Sequence, residues 1–216
     1  MKANVVVALI GATALATTAS AVDLANWTFE SSVPTTAGPH AAELGLFGGA
    51  SFASGFHVSS ATVFSNPAGN GSVESFSSNN WGPGDYYQFT TSTVGFGTIE
   101  VLWDQNRSST GPDTFDLEWS ADGSTFFTLT NDYNVGAVTW SSGTPQPSSN
   151  FAAVGLPAAA DGLATVWVRM TCQVIPAGTA GSNRIDNVVI RGTAIPTPGA
   201  LALVGIGGLA AVRRRR

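Results

Sequence analysis

Three carboxylates lie close together in the middle of the chain, namely Asp113, Asp116 and Glu118. Asp116 and Glu118 are two residues apart in an alternating run at 114–120, so both side chains point to the same side of a predicted strand. Retaining hydrolysis of a glycosidic bond needs two carboxyl groups about 5 Å apart, and a pair on one strand face is a candidate for that chemistry. A solvated acidic face without catalysis explains the same pattern, and we favour that interpretation.

Other catalytic chemistry has little support in the sequence. His40 and His57 are the only histidines, and both lie in or near predicted loops. No Gly-x-Ser-x-Gly motif occurs, which argues against a serine hydrolase of that type, and two isolated histidines do not supply a zinc site. Cys172 is the only cysteine, so an intramolecular disulfide is excluded. Its apolar surroundings at 165–174 predict a buried thiol in preference to intermolecular pairing.

Aromatic side chains could form a platform for a sugar. Most of them are expected in the core, as is usual for large rings in a β-sandwich. Trp81 differs because it lies in a loop of Asn, Gly and Pro residues at 79–84, and we predict that it is exposed and contacts a ligand. The aromatic candidates are Trp81, Tyr86, Tyr87, Trp103, Trp119, Trp140 and Trp167.

The elements that position these residues are predicted to be strands. Between residues 23 and 195 no long window has the helical period, whereas short alternating runs rich in β-branched and aromatic residues are separated by turn residues. Strands at this spacing, without crossover helices, predict an all-β fold of two packed antiparallel sheets, and a jelly-roll-like β-sandwich is our first choice. The predicted strands are 24–30, 44–52, 56–64, 73–77, 85–91, 97–103, 114–120, 125–130, 133–140, 151–156, 164–174 and 183–192.

The first and last predicted strands resemble the terminal strands of jelly-roll adhesion and carbohydrate-binding modules. The resemblance rests on Trp27-Thr28-Phe29-Glu30 and on Ile185-Asp186-Asn187-Val188. It implies that the two strands lie side by side and that Glu30 and Asp186 help to hold a structural calcium ion, which needs six to eight oxygen ligands. The alternative is that Glu30 ends a strand at the surface and that Asp186 pairs with Arg184 or a loop amide.

Two further stretches resemble parts of known families. Residues 117–123, followed by Phe126 and Phe127, resemble the hairpin of discoidin-like binding modules with its Ser-x-Asp-Gly turn. A plain hairpin explains the same residues, and we favour that interpretation. Asp113, Asp116 and Glu118 resemble the Glu-x-Asp-x-x-Glu strand of some jelly-roll glycoside hydrolases. Thr114 stands where that pattern has its first Glu, so the chain departs from it.

The N-terminus has the three parts of a secretory signal peptide at 1–21. Lys2 supplies a positive charge, residues 5–16 are apolar, and Ala19-Ser20-Ala21 is a small-x-small cleavage site. We expect export by the secretion machinery and cleavage by signal peptidase after Ala21. A buried N-terminal helix is the alternative, and the acidic residue that follows at once argues against it.

The C-terminus, 196–216, combines a proline turn, an apolar run at 200–212 and a basic end. The run is slightly short for a membrane span, which takes about 20 residues, but terminal arginines stop transfer and stay in the cytoplasm. We therefore expect a short membrane helix in preference to a core helix with a basic tail. The turn consists of Pro196, Thr197, Pro198 and Gly199, and the basic end of Arg213, Arg214, Arg215 and Arg216.

This C-terminal order resembles the PEP-CTERM sorting signal of bacterial exported proteins, over about a tenth of the chain. Thr197 stands where that motif has Glu, which puts the identity of the processing enzyme in doubt. The resemblance implies a transient anchor in the inner membrane, recognition by an exosortase-type sorting enzyme, and release or transfer of the protein to the cell surface or beyond.

The remaining segment, 22–195, is predicted to be one strongly acidic ectodomain. It contains all 14 acidic residues but only four of the nine basic ones and no lysine, so its formal charge is −10. Such a surface repels nucleic acid. The family resemblances given above imply a non-catalytic structural, adhesive or glycan-binding domain within an extracellular polysaccharide matrix. The alternative is a secreted carbohydrate-active enzyme that uses Asp116 or Glu118.

Overall fold

The computed structural model of the chain describes residues 20–196, of which Ala21–Ala194 form one compact unit. The predicted signal peptide up to Ala19 lies outside the described residues. The same is true of the apolar run, the terminal arginines and the sorting motif after Pro196. Within the described part of the chain, no helix has both the length and the apolar character needed to cross a membrane.

Twelve strands and three short 3₁₀ helices make up the secondary structure of residues 20–196. The 3₁₀ helices are Gly48–Ala50, Pro147–Ser149 and Ala158–Ala160. The strands are β1 (Ala21–Trp27), β2 (His40–Ala41), β3 (Phe52–Phe56), β4 (Phe64–Ser65), β5 (Phe76–Ser78), β6 (Tyr86–Thr91), β7 (Phe96–Arg107), β8 (Thr114–Ser120), β9 (Phe127–Asn134), β10 (Asn150–Gly155), β11 (Val166–Cys172) and β12 (Asn183–Ala194).

The strands form two antiparallel sheets, which confirms the predicted β-sandwich. Sheet A has the order β10-β7-β12-β5-β4, and β1 also pairs with β12. Sheet B has the order β2-β3-β6-β11-β8-β9. The chain crosses between the sheets several times, from β5 through β6 and β7 to β8, and this connectivity supports the jelly-roll assignment. β1 runs beside β12 from Ala21, opposite Thr193, to Trp27, opposite Val188, so the first and last strands are neighbours as expected.

The core lies between the sheets and follows from the period of two along each strand. In β8, Phe115, Leu117 and Trp119 point inward as predicted. Aromatic rings from the two sheets pack against each other: the ring centre of Trp27 in sheet A lies 5.1 Å from that of Phe89 in sheet B. Cys172 is a free, fully buried thiol at the end of β11, which confirms the prediction for this residue.

The predicted strand at 44–52 is wrong, because only its last residue enters a strand. The segment instead forms a loop with the first 3₁₀ helix, packed against β1. Gly45 makes this approach possible: its φ is +99°, and a Cβ there would lie 2.7 Å from the Cα of Ala25. The predicted strand at 133–140 is also wrong after Asn134, where β9 ends.

The turn between β8 and β9 has the predicted Ser-x-Asp-Gly geometry. Asp122 Oδ1 accepts the backbone N–H groups of Thr125 and Ser124, each at 2.7 Å, and the Ser120 hydroxyl at 2.9 Å. These hydrogen bonds, from Thr125 first and then from Ser124, lower the pKa of Asp122 to about 2. Gly123 adopts a φ of +73°, which favours glycine. The hairpin is therefore fixed by its own turn.

Candidate functional site

The outer surface of sheet B carries rows of side chains that point away from the core across four strands. The register sets these rows: Phe56 pairs with Tyr86, Tyr86 with Thr171, and Thr171 with Asp116. Paired residues share a face of the sheet, and the residues that alternate with them are core residues. We call this surface the polar–aromatic face. It consists of Phe52, Phe56, Tyr86, Gln88, Asp116, Glu118, Trp167, Arg169 and Thr171, with Phe126 beside them.

Arg169 is the centre of the polar–aromatic face. Its guanidinium carbon lies 3.9 Å from the centre of the Tyr86 ring and 3.6 Å from that of Phe126. The same group donates hydrogen bonds to Gln88 Oε1 at 2.8 Å and to the Tyr86 hydroxyl at 3.2 Å. Arginine is suited to this position because its planar group can stack and donate hydrogen bonds at once. The side chain is therefore held in one orientation.

Exposed rings extend this arrangement toward β3. Phe56 stacks on Tyr86 with ring centres 5.1 Å apart and an angle of 19° between the planes. Phe56 is 47% exposed and Phe52 is 40% exposed. The face thus offers apolar rings beside fixed hydrogen-bonding groups, which is the combination that a polyhydroxylated ligand requires.

The carboxylates predicted as candidate catalysts lie on this face but are held separately. Asp116 is 9% exposed, and its Oδ1 accepts the backbone N–H of Asp132 at 2.7 Å. Glu118 Oε2 accepts the hydroxyl of Thr171 at 2.6 Å. Because Asp116 is largely buried, the solvated-face interpretation applies only to Glu118. Asp113 lies 3.8 Å from Arg107 in a partly exposed ion pair.

A buried Asp–His–Ser series, which the sequence did not reveal, lies under the loop at 79–84. His57 Nδ1 is 3.1 Å from Asp85 Oδ2, and its Nε2 is 3.0 Å from the Ser78 hydroxyl. Burial lowers the pKa of His57, while Asp85 opposes that shift. The order of groups is that of a serine hydrolase, but Ser78 is only 1% exposed and is also 3.2 Å from the Tyr87 hydroxyl. A substrate cannot reach it, so the series is structural.

The prediction that Trp81 is exposed is wrong. The indole is 5% exposed, donates from Nε1 to the backbone carbonyl of Ser78 at 2.9 Å, and lies with its ring centre 4.3 Å from that of His57. The reason is that Asp85 holds the loop against the core by accepting the N–H of Gly82 at 2.7 Å. Loop composition predicted exposure, but the packing of the indole on His57, which is distant in the sequence, completes the burial.

The two residues expected to hold calcium bind other partners. Glu30 Oε1 accepts the backbone N–H of Glu74 at 2.8 Å. Asp186 is fully buried, and its carboxylate accepts the N–H of Asn70 at 2.8 Å, the Ser72 hydroxyl at 2.7 Å and the N–H of Asn187 at 2.8 Å. The partners of Asp186 are thus loop amides and a hydroxyl. A calcium ion would need the carboxylate oxygens that these N–H and O–H groups already occupy.

No group of three or more His, Cys, Asp or Glu residues suited to a metal ion occurs within residues 20–196. The calcium site at Glu30 and Asp186 therefore stays a prediction without support from the donor set.

No protein-family model matches the chain, and no curated protein matches it either. Several solved structures are similar at low identity, and three of them illustrate the range. The K1 cleaved adhesin domain of Lys-gingipain from Porphyromonas gingivalis W83 is 14% identical, with a TM-score of 0.47 over 81% of this chain and 99% of that one. The CBM22-1 xylan-binding domain of Paenibacillus barcinonensis Xyn10C is 8% identical, with a TM-score of 0.47 over 83% of this chain and 100% of that one.

The third similar structure is TmCBM61 in complex with β-1,4-galactotriose. It is 8% identical, with a TM-score of 0.36 over 65% of this chain and 86% of that one. Because all three similarities are this distant, the function has to be argued from the chain's own residues.

Proposed function

We propose that the chain is an exported, non-catalytic protein of the cell surface or extracellular matrix, and that its ectodomain binds a polysaccharide on the polar–aromatic face. The observation that carries this proposal is the arrangement around Arg169. A stacked guanidinium and the carboxamide of Gln88, 2.8 Å away, lie beside Tyr86, on which the half-exposed ring of Phe56 also stacks. A sugar ring can stack on the aromatic group while its hydroxyls bond to the polar row.

The absence of catalysis is part of the same proposal. Asp116 and Glu118 each accept a hydrogen bond from a different group of the protein, namely the Asp132 N–H and the Thr171 hydroxyl. A pair of catalytic carboxyls must both face the substrate, whereas Asp116 is only 9% exposed. The two carboxylates are better explained as supports for the face than as an acid and a nucleophile.

Export and sorting enter the proposal from the two ends of the sequence. The small-x-small site ending at Ala21 supports cleavage by signal peptidase, and the Pro196-to-Arg216 order supports transient anchoring in the inner membrane and processing by an exosortase-type enzyme. The intact mass of the protein isolated from its native cells tests this part. Loss of the residues beyond 196–199 would support sorting, whereas a mass that includes Arg216 would contradict removal of the tail.

Binding to the extracellular polysaccharide purified from the same cells tests the role of the face. Phe56→Ala removes an exposed ring and should weaken binding about tenfold, the equivalent of about 1.4 kcal/mol. Leu46→Ala is the matched control, because Leu46 is an exposed apolar residue, 59% accessible, beside β1 of the other sheet. Affinity electrophoresis that retards both variants equally would contradict the assignment of the face.

Turnover assays with the same polysaccharide distinguish the enzymatic alternative. Release of reducing ends by the wild type, abolished in Glu118→Gln, would replace the binding proposal by a glycoside hydrolase. Binding without any release of reducing ends supports the non-catalytic function.

A further inference from the structure

A cleft of about 600 Å³ lies on sheet A, where β12 departs from regular pairing with β7. The register shifts between Asp186 and Val189, and Asn187 adopts a φ of +48°. An irregularity of this kind redirects a side chain and is common beside binding sites. Here it turns the amide of Asn187 toward Asp104, which faces outward from β7 between the inward-pointing Trp103 and Gln105.

Asp104 presents one fixed and one open carboxylate oxygen. Its Oδ2 accepts the side-chain amides of Asn70 at 3.0 Å and Asn187 at 2.9 Å. Its Oδ1 accepts no hydrogen bond from any group within residues 20–196, although Asp104 lines the cleft and is only 6% exposed overall. Two amides therefore orient the carboxylate so that a single oxygen remains available to a ligand.

The rest of the cleft determines what that ligand is. Leu102 and Val189 supply apolar walls, and Asn150 adds an exposed amide at the rim. No Lys, Arg or His is among the described residues that line the cleft. A second carboxylate, that of Asp186, pairs with Asp104 across β12 and β7 and lies 3.3 Å from the same Asn187 amide. The cleft is therefore acceptor-rich and negatively charged, with apolar sides.

We propose that this sheet A cleft binds a primary ammonium group, with Asp104 as its charge partner and the apolar walls in contact with the carbon body of the ligand. An ammonium group carries three donors and no acceptor, which matches an open carboxylate oxygen and neighbouring amide oxygens. A neutral hydroxyl would leave the buried negative charge without a partner, and an anion would be repelled. The site is separate from the polar–aromatic face, which belongs to the opposite sheet.

Two sources can supply such a group, an amino sugar of the matrix or a lysine side chain of another protein. A second copy of this domain cannot supply a lysine, because residues 22–195 contain none. The choice of probe distinguishes the two sources.

Methyl NMR of the purified protein with four probes tests the proposal, using the shifts of Leu102 and Val189 as reporters. The probes are glucosamine, Nα-acetyl-lysine amide and the N-acetylated form of each amine. We expect at least one amine to shift these methyls and to bind about tenfold or more tightly than its acetylated form. Glucosamine alone would identify a sugar source, and the lysine derivative alone a protein source. Equal binding of amine and acetylated form, or no binding of any probe, would overturn the proposal.

Asp104→Asn extends the test, with Glu100→Gln as its matched control. Both changes remove one negative charge from the outward face of β7, but Glu100 pairs with Arg191 at 2.8 Å and does not line the cleft. Asp104→Asn should weaken amine binding about tenfold or more, and Glu100→Gln should leave it unchanged within about twofold. Unchanged binding in a folded Asp104→Asn variant would overturn the proposal. The comparison of amines with acetylated probes uses only the wild type, so it remains decisive even where that variant does not fold.

Discussion

Glu43 accepts the backbone N–H of Phe29 at 2.8 Å and thereby holds the turn that follows β1. Phe29 has a φ of +57°, a strained value for a large side chain, and its ring is fully buried. The same carboxylate accepts the N–H of Thr28 at 2.7 Å and that of Ser32 at 3.1 Å. Burial alone would raise the pKa of Glu43, but the N–H groups of Ser31, Ser32 and Thr28 lower it below the usual value of 4.5.

Glu43→Gln should therefore destabilise the protein by about 2–3 kcal/mol, since hydrogen bonds to a charged acceptor contribute more than neutral ones. The amide keeps one acceptor oxygen and turns an NH₂ group toward N–H donors. Because the folded-state pKa of Glu43 is lowered, its contribution is present above about pH 4.5 and is lost as the pH falls further. Urea denaturation at neutral pH measures the change.

Glu118→Gln is the control for this prediction. Glu118 is partly exposed and has a single side-chain partner, Thr171, so its substitution should cost less than about 1 kcal/mol. Equal losses in the two variants would contradict the role given to the Glu43 turn.

Asp186 should make stability depend on pH in the opposite direction. Burial raises the pKa of Asp186 to about 6 from an ordinary value of 3.8, against the hydrogen bonds from Ser72, Asn70 and Asn187 and with a smaller contribution from nearby Asp104. The folded protein then binds a proton more tightly than the unfolded chain. The free energy of unfolding should fall as the pH rises from about 4 to about 6, by at most about 3 kcal/mol.

Chemical denaturation at several pH values measures this dependence, with Asp186→Asn as the comparison. The variant should lose most of the slope between these pH values. A remainder should come from Asp104, whose pKa burial also raises. An unchanged slope in a folded variant would show that other groups cause the dependence.

The calcium prediction has a simple test in thermal unfolding. Asp186 already has the Asn70 N–H and the Ser72 hydroxyl at hydrogen-bond distance, so calcium would have to displace donors from a buried carboxylate. We expect the melting temperature to be the same in excess calcium and in excess EDTA. A rise with calcium that Glu30→Gln abolishes would establish the site that the sequence predicts.

Strand patterns could be predicted from the sequence because they depend on neighbours along the chain. The alternation of Phe115, Leu117 and Trp119 with Asp116 and Glu118 determines which side faces the core, and the structure confirms it. The turn at 120–123 could be found for the same reason.

The functional groups that the sequence did not reveal depend on contacts between distant residues. Asn70 and Asn187 reach Asp104 from positions 34 and 83 residues away. Likewise, the burial of Trp81 depends on its contact with His57. No local spacing encodes these contacts, and the irregular pairing at Asn187 that creates the sheet A cleft is invisible without the register of β12 on β7.

Arg169→Lys should destabilise the protein by about 1–2 kcal/mol, although the charge is kept. Lysine cannot stack its ammonium group flat between Tyr86 and Phe126, and a cation–π contact contributes from about 0.5 kcal/mol at an exposed site to about 2 kcal/mol where it is desolvated. Arg191→Lys is the matched control, because Arg191 forms a partly exposed ion pair with Glu100 at 2.8 Å, a type of pair that contributes less than about 1 kcal/mol. Urea denaturation of both variants compares the losses. If Arg169→Lys lowers the free energy of unfolding no more than Arg191→Lys does, the stack does not stabilise the polar–aromatic face. The stack would then not explain how Arg169 is held in one orientation for glycan binding.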